Sequence, residues 1–155
     1  LYHDLYDVET VTLRYFNVYG PNQTGGDYAG VIDVFADQAR NGDPITVHGD
    51  GQQTRDFVHV DDVVRANRLA ARTEHVGRAY NVGTGEAVTI RDLAERIRER
   101  VGSDSEIVHT TARDGDIRHS RADISRARDR LEYDVTVDLD AGLDTAVPAA
   151  PDAEQ

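Results

Sequence analysis

Strand-like and helix-like runs alternate along this chain, and that alternation limits the fold more than any other feature. Such an order favours a mostly parallel sheet flanked by helices, an α/β architecture. Residues 11–18 are rich in β-branched and aromatic side chains and read as one buried strand. Gly20-Pro21-Asn22 ends it, and a Gly-containing loop fills 23–30. Residues 31–40 read as a helix with Val31, Phe35 and Ala39 on one face, stopped by Asn41-Gly42. Ile45 to His48 and 57–60 read as short strands, and Asp61 or Asp62 as the cap of a helix reaching about Ala71. A strand over 79–82 enters Gly83-Thr84-Gly85. Residues 89–101 form the clearest helix: Ile90, Leu93, Ala94, Ile97 and Val101 make one apolar stripe. Thr89, with Asp92 three residues on, and Gly102 suit its two ends. A strand over 106–109 and helices opened by Asp123 and Asp138 complete the pattern, and 149–155 read as a disordered tail.

The length of 155 residues suits one compact core. The opening Leu1-Tyr-His-Asp-Leu-Tyr6 reads as the tail of a helix, so the chain is expected to be the C-terminal piece of a longer protein. With no cysteine there is no thiol nucleophile, disulfide or thiolate-held metal. No apolar run is long enough to span a bilayer, and a cytoplasmic protein is expected. The formal net charge is -12, and all 17 basic residues are arginine. Such a surface repels nucleic acid and anionic membrane, so neither is expected as a partner. The excess of 21 Asp and 8 Glu resembles the bias of halophilic, salt-adapted proteins. Stability is therefore expected to fall when molar salt is withdrawn, because the carboxylates repel one another. A melting temperature that stays flat from low to molar KCl would count against this.

Three stretches carry groups suited to an anionic, hydroxyl-rich ligand. In Arg14-Tyr-Phe-Asn17 a strand ends in polar groups at its carboxyl end, where ligands of open α/β sheets bind. The Asn17 amide offers both a donor and an acceptor, although spacing alone fits Tyr15 as core and Asn17 as a turn former. In His48-Gly-Asp-Gly-Gln-Gln-Thr-Arg55 the arginine can grip phosphate oxygens with its planar fork, with the neighbouring Asp56 placed to orient it. The bland alternative is a surface Arg–Asp pair of little worth. His59 reads as structural, and His48 has no companion at metal-ligand spacing. In Arg113-Asp-Gly-Asp-Ile-Arg-His-Ser120 a second arginine stands in a charged loop, and two arginines from separate loops can clamp a diphosphate. The lone Gly83-Thr-Gly85 lacks the third glycine of a dinucleotide-binding turn.

The strings Thr12-Leu-Arg-Tyr-Phe-Asn-Val-Tyr-Gly-Pro-Asn-Gln23 and His48-Gly-Asp-Gly-Gln-Gln-Thr-Arg-Asp-Phe-Val-His-Val-Asp-Asp62, followed by the Arg113 loop, resemble the second half of one enzyme family. These are the extended short-chain dehydrogenase/reductases, the NAD-dependent nucleotide-sugar epimerases and dehydratases of UDP-glucose 4-epimerase-like type. The resemblance runs from Leu1 to about Val147. It implies late strands of a Rossmann-type parallel sheet plus a small C-terminal substrate-binding lobe. It implies Tyr15 near the nicotinamide of NAD, Asn17 on the sugar nucleotide, and Arg55 and Arg113 on the diphosphate. The strand of Thr46 and His48 would face the nucleobase, His48 standing where the family commonly has Phe or Tyr. Asp116 would orient Arg113 or bind a ribose hydroxyl, and Ser120 would lie near the sugar or nucleotide.

By the family mechanism NAD takes hydride from C4 of the sugar and returns it to the other face of a 4-keto intermediate. The catalytic Tyr-x-x-x-Lys is expected upstream, since this chain has no lysine. The resemblance also implies a homodimer for the full-length protein. The Gly-Asp-Ile-Arg-His-Ser string is most similar to the UDP-N-acetylhexosamine epimerase branch. dTDP-glucose 4,6-dehydratase and UDP-glucuronate decarboxylase share much of this half and remain alternatives within the enzyme class. A nucleotide-sugar-binding module without turnover, or a purely structural α/β domain, are the alternatives outside it.

Overall fold

The computed structural model describes residues 2–23 and 30–147. The elements alternate as expected: α1 (Tyr2–Tyr6), β1 (Val11–Tyr15), β2 (Asn17–Tyr19), α2 (Val31–Asn41), β3 (Ile45–His48), β4 (Thr54–Arg55) and β5 (Phe57–His59). Then come α3 (Val60–Ala70), β6 (Arg78–Val82), β7 (Val88–Thr89), α4 (Ile90–Val101), β8 (Ile107–Thr110), α5 (Ser125–Leu131) and α6 (Leu139–Ala146). β1 pairs with β6, β2 with β5 and β3 with β8, all parallel, while β4 and β7 are antiparallel. The loop expected over 23–30 falls mostly, and the tail over 149–155 wholly, outside the described residues.

The run over 11–18 is two strands rather than one. Phe16 N donates to Val82 O, at the end of β6, and Asn17 N donates to Asp56 O. The backbone therefore changes partner between adjacent residues, which β-propensity cannot reveal. The cap of α3 also differs from expectation. The helix starts at Val60, and His59 is its N-cap, with Nδ1 accepting from Asp61 N at 3.3 Å. Asp62 is fully buried and accepts from Thr136 N, Thr136 Oγ1 and Val137 N, pinning the segment that leads into α6. Asp123 does not cap α5 directly. Its carboxylate accepts from Ser125 N and Oγ, a local turn that closes just before the helix.

The local signals of α4 act as read. Thr89 Oγ1 accepts from Asp92 N at 3.0 Å, and Gly102 takes a left-handed φ of 69° beyond the last turn. Ile90, Leu93, Ala94 and Ile97 bury one stripe against α2, whose Ile32, Phe35, Ala36 and Ala39 face back. Ile45, Val47 and Leu143 complete this first core. A second core gathers Val58, Tyr80 and Val82 with Ala66 of α3, Ala127 of α5, and Tyr133.

Gly142 of α6 lies flat on the Tyr19 ring. A Cβ there would sit 2.8 Å from Tyr19 Cζ and nearer still to the hydroxyl. Alanine favours a helix over glycine by about 1 kcal/mol, whereas overpacking a core costs about 1–3 kcal/mol. Tyr19 is buried, so the steric effect is expected to win, and Gly142→Ala should lower the melting temperature by several degrees. An unchanged or higher melting temperature would show that Tyr19 can move aside.

Candidate functional site

A cleft of ≈ 400 Å³ opens between α2, β3 and β4, and the Arg113 loop covers part of it. Six of the eight residues singled out from sequence line it: Asn17, Thr46, His48, Arg55, Arg113 and Asp116. Val31, Val34 and Phe35 of α2 supply an apolar wall. Tyr15 and Ser120 are not among the lining residues. Tyr15 is half exposed at the end of β1, and its hydroxyl donates to Asn67 Oδ1 on α3 at 3.0 Å. Ser120 is half-buried behind β4, where its N–H donates to Thr54 O.

Arg55 is held by its own loop system. Its Nη1 donates to Thr54 O at 2.7 Å and to Ile117 O at 2.5 Å, and its Nη2 donates to the Asp116 carboxylate. The partner expected for Arg55 was Asp56, and the structure overturns that. Neighbours in a strand point to opposite faces, so Asp56 turns inward as Arg55 turns out. The Asp56 carboxylate is fully buried. It accepts from Thr84 N, Thr84 Oγ1, Gly85 N and Ala122 N at 2.8–3.0 Å. Asp116 in turn orients Arg55 rather than Arg113.

Arg113 meets His48 instead: its Nη2 lies 3.2 Å from His48 Nε2. The parallel register of β3 and β8 sets His48 opposite Thr110. The loop that follows is tied down by Arg118, which donates to both carboxylate oxygens of Asp50 at 2.7 and 2.9 Å. Those hydrogen bonds from Arg118 hold the Asp50 carboxyl down to about 2. Asn17 donates through both its backbone N and its Nδ2 to the single carbonyl of Asp56, at 3.0 and 2.9 Å. The amide is thereby fixed in one orientation, and its Oδ1 meets no donor among the described residues. Thr46 is placed by α2, since Gln38 Oε1 accepts its N–H at 3.0 Å.

Two contributors were missed in the sequence. Gln53 is buried, lines the cleft and donates to His48 O at 2.7 Å. Gln38 lines it from α2. Gln38 had a signal, following Phe35 by one helical turn, whereas Gln53 stands just before β4 and had none. Among the described residues no group of three or more His, Asp or Glu side chains could hold a metal.

The residues here do not make an NAD site by themselves. The N–H groups of the Gly83–Gly85 turn that a pyrophosphate would need, those of Thr84 and Gly85, both donate to Asp56. A Cβ at Gly83 would meet Ala122 Cβ at 2.6 Å, so that glycine serves close packing of chain on chain.

Comparison with known proteins agrees with this architecture. Residues 1–83 match the NAD dependent epimerase/dehydratase family. A UDP-glucose 4-epimerase of Mycolicibacterium smegmatis is 38% identical over 143 residues, 92% of this chain and 46% of that protein. The crystal structure of a UDP-glucose 4-epimerase with UDP-glucose from Thermotoga maritima superposes with a TM-score of 0.90 at 38% identity, covering 94% of this chain and 47% of that one. A UDP-N-acetylglucosamine 4-epimerase from Methanobrevibacter ruminantium, in complex with UDP-N-acetylmuramic acid, gives 0.88 at 38% identity, covering 94% and 47%. The chain thus spans about half the length of the relatives it matches. With its parallel ladders, its matched residues and its close structural relatives, this chain belongs to the NAD-dependent epimerase/dehydratase family and carries part of its Rossmann-type α/β fold.

Proposed function

We propose that this chain is the nucleotide-sugar-binding half of an NAD-dependent 4-epimerase that acts on a UDP-sugar through a 4-keto intermediate. One observation carries the reading: Arg55 and Arg113, from segments far apart in sequence, enter one cleft of a protein that is otherwise strongly acidic. A dianionic diphosphate is the ligand such a pair fits. Three of the five guanidinium donors of Arg55 are already engaged, so its fork is held in place before a ligand arrives. Asn17 offers Oδ1 to a hydroxyl of the sugar. Thr46 and His48 on β3, with the apolar wall of α2, suit a planar base. NAD supplies the hydride acceptor and donor when bound, and Tyr15 is the residue of this chain assigned to its vicinity. Asp116 serves the diphosphate through Arg55, and Ser120 acts from behind β4.

Arg55→Ala and Arg113→Ala, each made in the native polypeptide that contains this chain, are expected to weaken UDP-glucose binding by about 1.5–3 kcal/mol. That is about a 10- to 150-fold rise in Kd, read by calorimetry. Unchanged affinity in both variants would sink the diphosphate clamp. Binding by the native polypeptide without any change at C4 would instead identify a binding module.

A further inference from the structure

We infer that His48 is a positioning residue that aims Arg113 into the cleft. The inference rests on the clamp reading above and deepens it. His48 is fixed on every side. Its backbone carbonyl accepts from Gln53 Nε2 at 2.7 Å, and its place on β3 is set by the register with β8. Its Nδ1 lies 3.2 Å from the carbonyl of Thr111 and 3.2 Å from Thr110 Oγ1. A carbonyl oxygen only accepts, so Nδ1 must carry the hydrogen. On the other side of the ring, Nε2 lies 3.2 Å from Arg113 Nη2. A guanidinium only donates, so Nε2 must present its lone pair. Both neighbours independently demand the same neutral tautomer, with the hydrogen on Nδ1.

The geometry gives the histidine a task that a phenyl ring could not perform. Arg113 sits in an exposed loop on a long side chain, and among the described contacts its guanidinium is held by His48. Arg55, by contrast, has three tethers of its own. Without the lone pair of Nε2, Arg113 loses its fixed direction, and ordering it must be repeated each time a diphosphate binds. His48 therefore acts on the ligand through Arg113, whatever its ring contributes to the base.

The test compares His48→Leu and His48→Gln, alone and with Arg113→Ala, in the native polypeptide, with UDP-glucose as the calorimetric probe. His48→Leu should weaken binding about 5- to 20-fold. His48→Gln, whose amide oxygen reaches the place of Nε2, should stay within about threefold of the wild type. With Arg113 already replaced, His48→Leu should change little, because there is nothing left to aim. Nitrogen-15 NMR of the ligand-free protein should show the Nδ1–H tautomer, and that preference should weaken in Arg113→Ala. Equal losses from His48→Leu with and without Arg113 would mean a base contact and would overturn the inference while leaving the proposed function intact. A ring with its hydrogen on Nε2 would overturn it too. Failure of the wild type to bind UDP-glucose would overturn the proposed function and this inference together.

Discussion

Asp56→Ala is expected to cost about 4 kcal/mol of stability, the largest effect of any single substitution discussed for this fold. The carboxylate is fully buried and gathers four donors from two separate segments: Thr84 N and Oγ1 with Gly85 N, and Ala122 N. Its removal leaves the N–H groups of Thr84, Gly85 and Ala122 without this acceptor, while Thr84 Oγ1 keeps Glu86 O at 3.2 Å; each orphaned group costs about 1–3 kcal/mol before relaxation or entering water recovers part of it. For a domain of this size that is a fall in melting temperature of about 8–16 °C. Asp56→Asn should lie between, since one oxygen still accepts while the new NH2 faces donors. The measurement is a denaturant titration followed by circular dichroism. A loss below about 1 kcal/mol would show that the Gly83 turn does not depend on this carboxylate.

The second large effect belongs to high pH. Tyr19 and Tyr133 are both buried. Burial pushes both hydroxyls well above the usual tyrosine range. The charges of Asp138 and Asp62 add to the shift at Tyr19, and those of Asp62 and Asp56 add to it at Tyr133. The Tyr133 hydroxyl also donates to Gly83 O at 2.9 Å. The folded state thus keeps protons that the unfolded chain releases above about pH 10. The stabilisation is fully present below that pH and is lost as pH rises toward the folded values. Each tyrosine should contribute a slope of about 1.4 kcal/mol per pH unit in this range. The chain has no lysine and no cysteine, and arginine keeps its charge, so tyrosine dominates the titration between pH 9 and 12. Stability measured against pH should bend downward near pH 10, and Tyr19→Phe and Tyr133→Phe should each remove about half the slope. A curve flat to pH 11.5 would contradict the burial of both hydroxyls.

What could be read in the sequence was what is local. The stripe of α4, its Thr89 cap and its Gly102 stop all lie within one turn of the residues they serve, and the structure repeats them. Asp138 likewise caps α6, accepting from Ala141 N at 2.8 Å. Most of the cleft was legible through three strings in the right order. The errors concern partners distant along the chain. Arg55 was matched to Asp56, one residue away, when its carboxylate partner is Asp116, 61 residues on. Asp56 finds its donors 28 to 66 residues away. Side chains of adjacent extended residues point to opposite faces, which separates Arg55 from Asp56. The break at Phe16 and the two-residue β4–β7 ladder were invisible for a related reason. Both depend on which strand lies alongside, and a short run carries no mark of its neighbour.

β4 has a consequence for how the cleft opens. It is two residues long, yet Thr54 pairs with Thr89 on one side and bridges to His119 on the other. Thr54 N donates to Arg118 O, Ser120 N donates to Thr54 O, and Arg55 donates to Ile117 O. The strand that carries one arginine is thus stitched to the loop that carries the other. The backbones of these two segments are therefore expected to open together. In hydrogen-exchange language, the amides of Thr54 and Ser120 belong to one cooperative unit, and a ligand that bridges the arginines slows both without touching either.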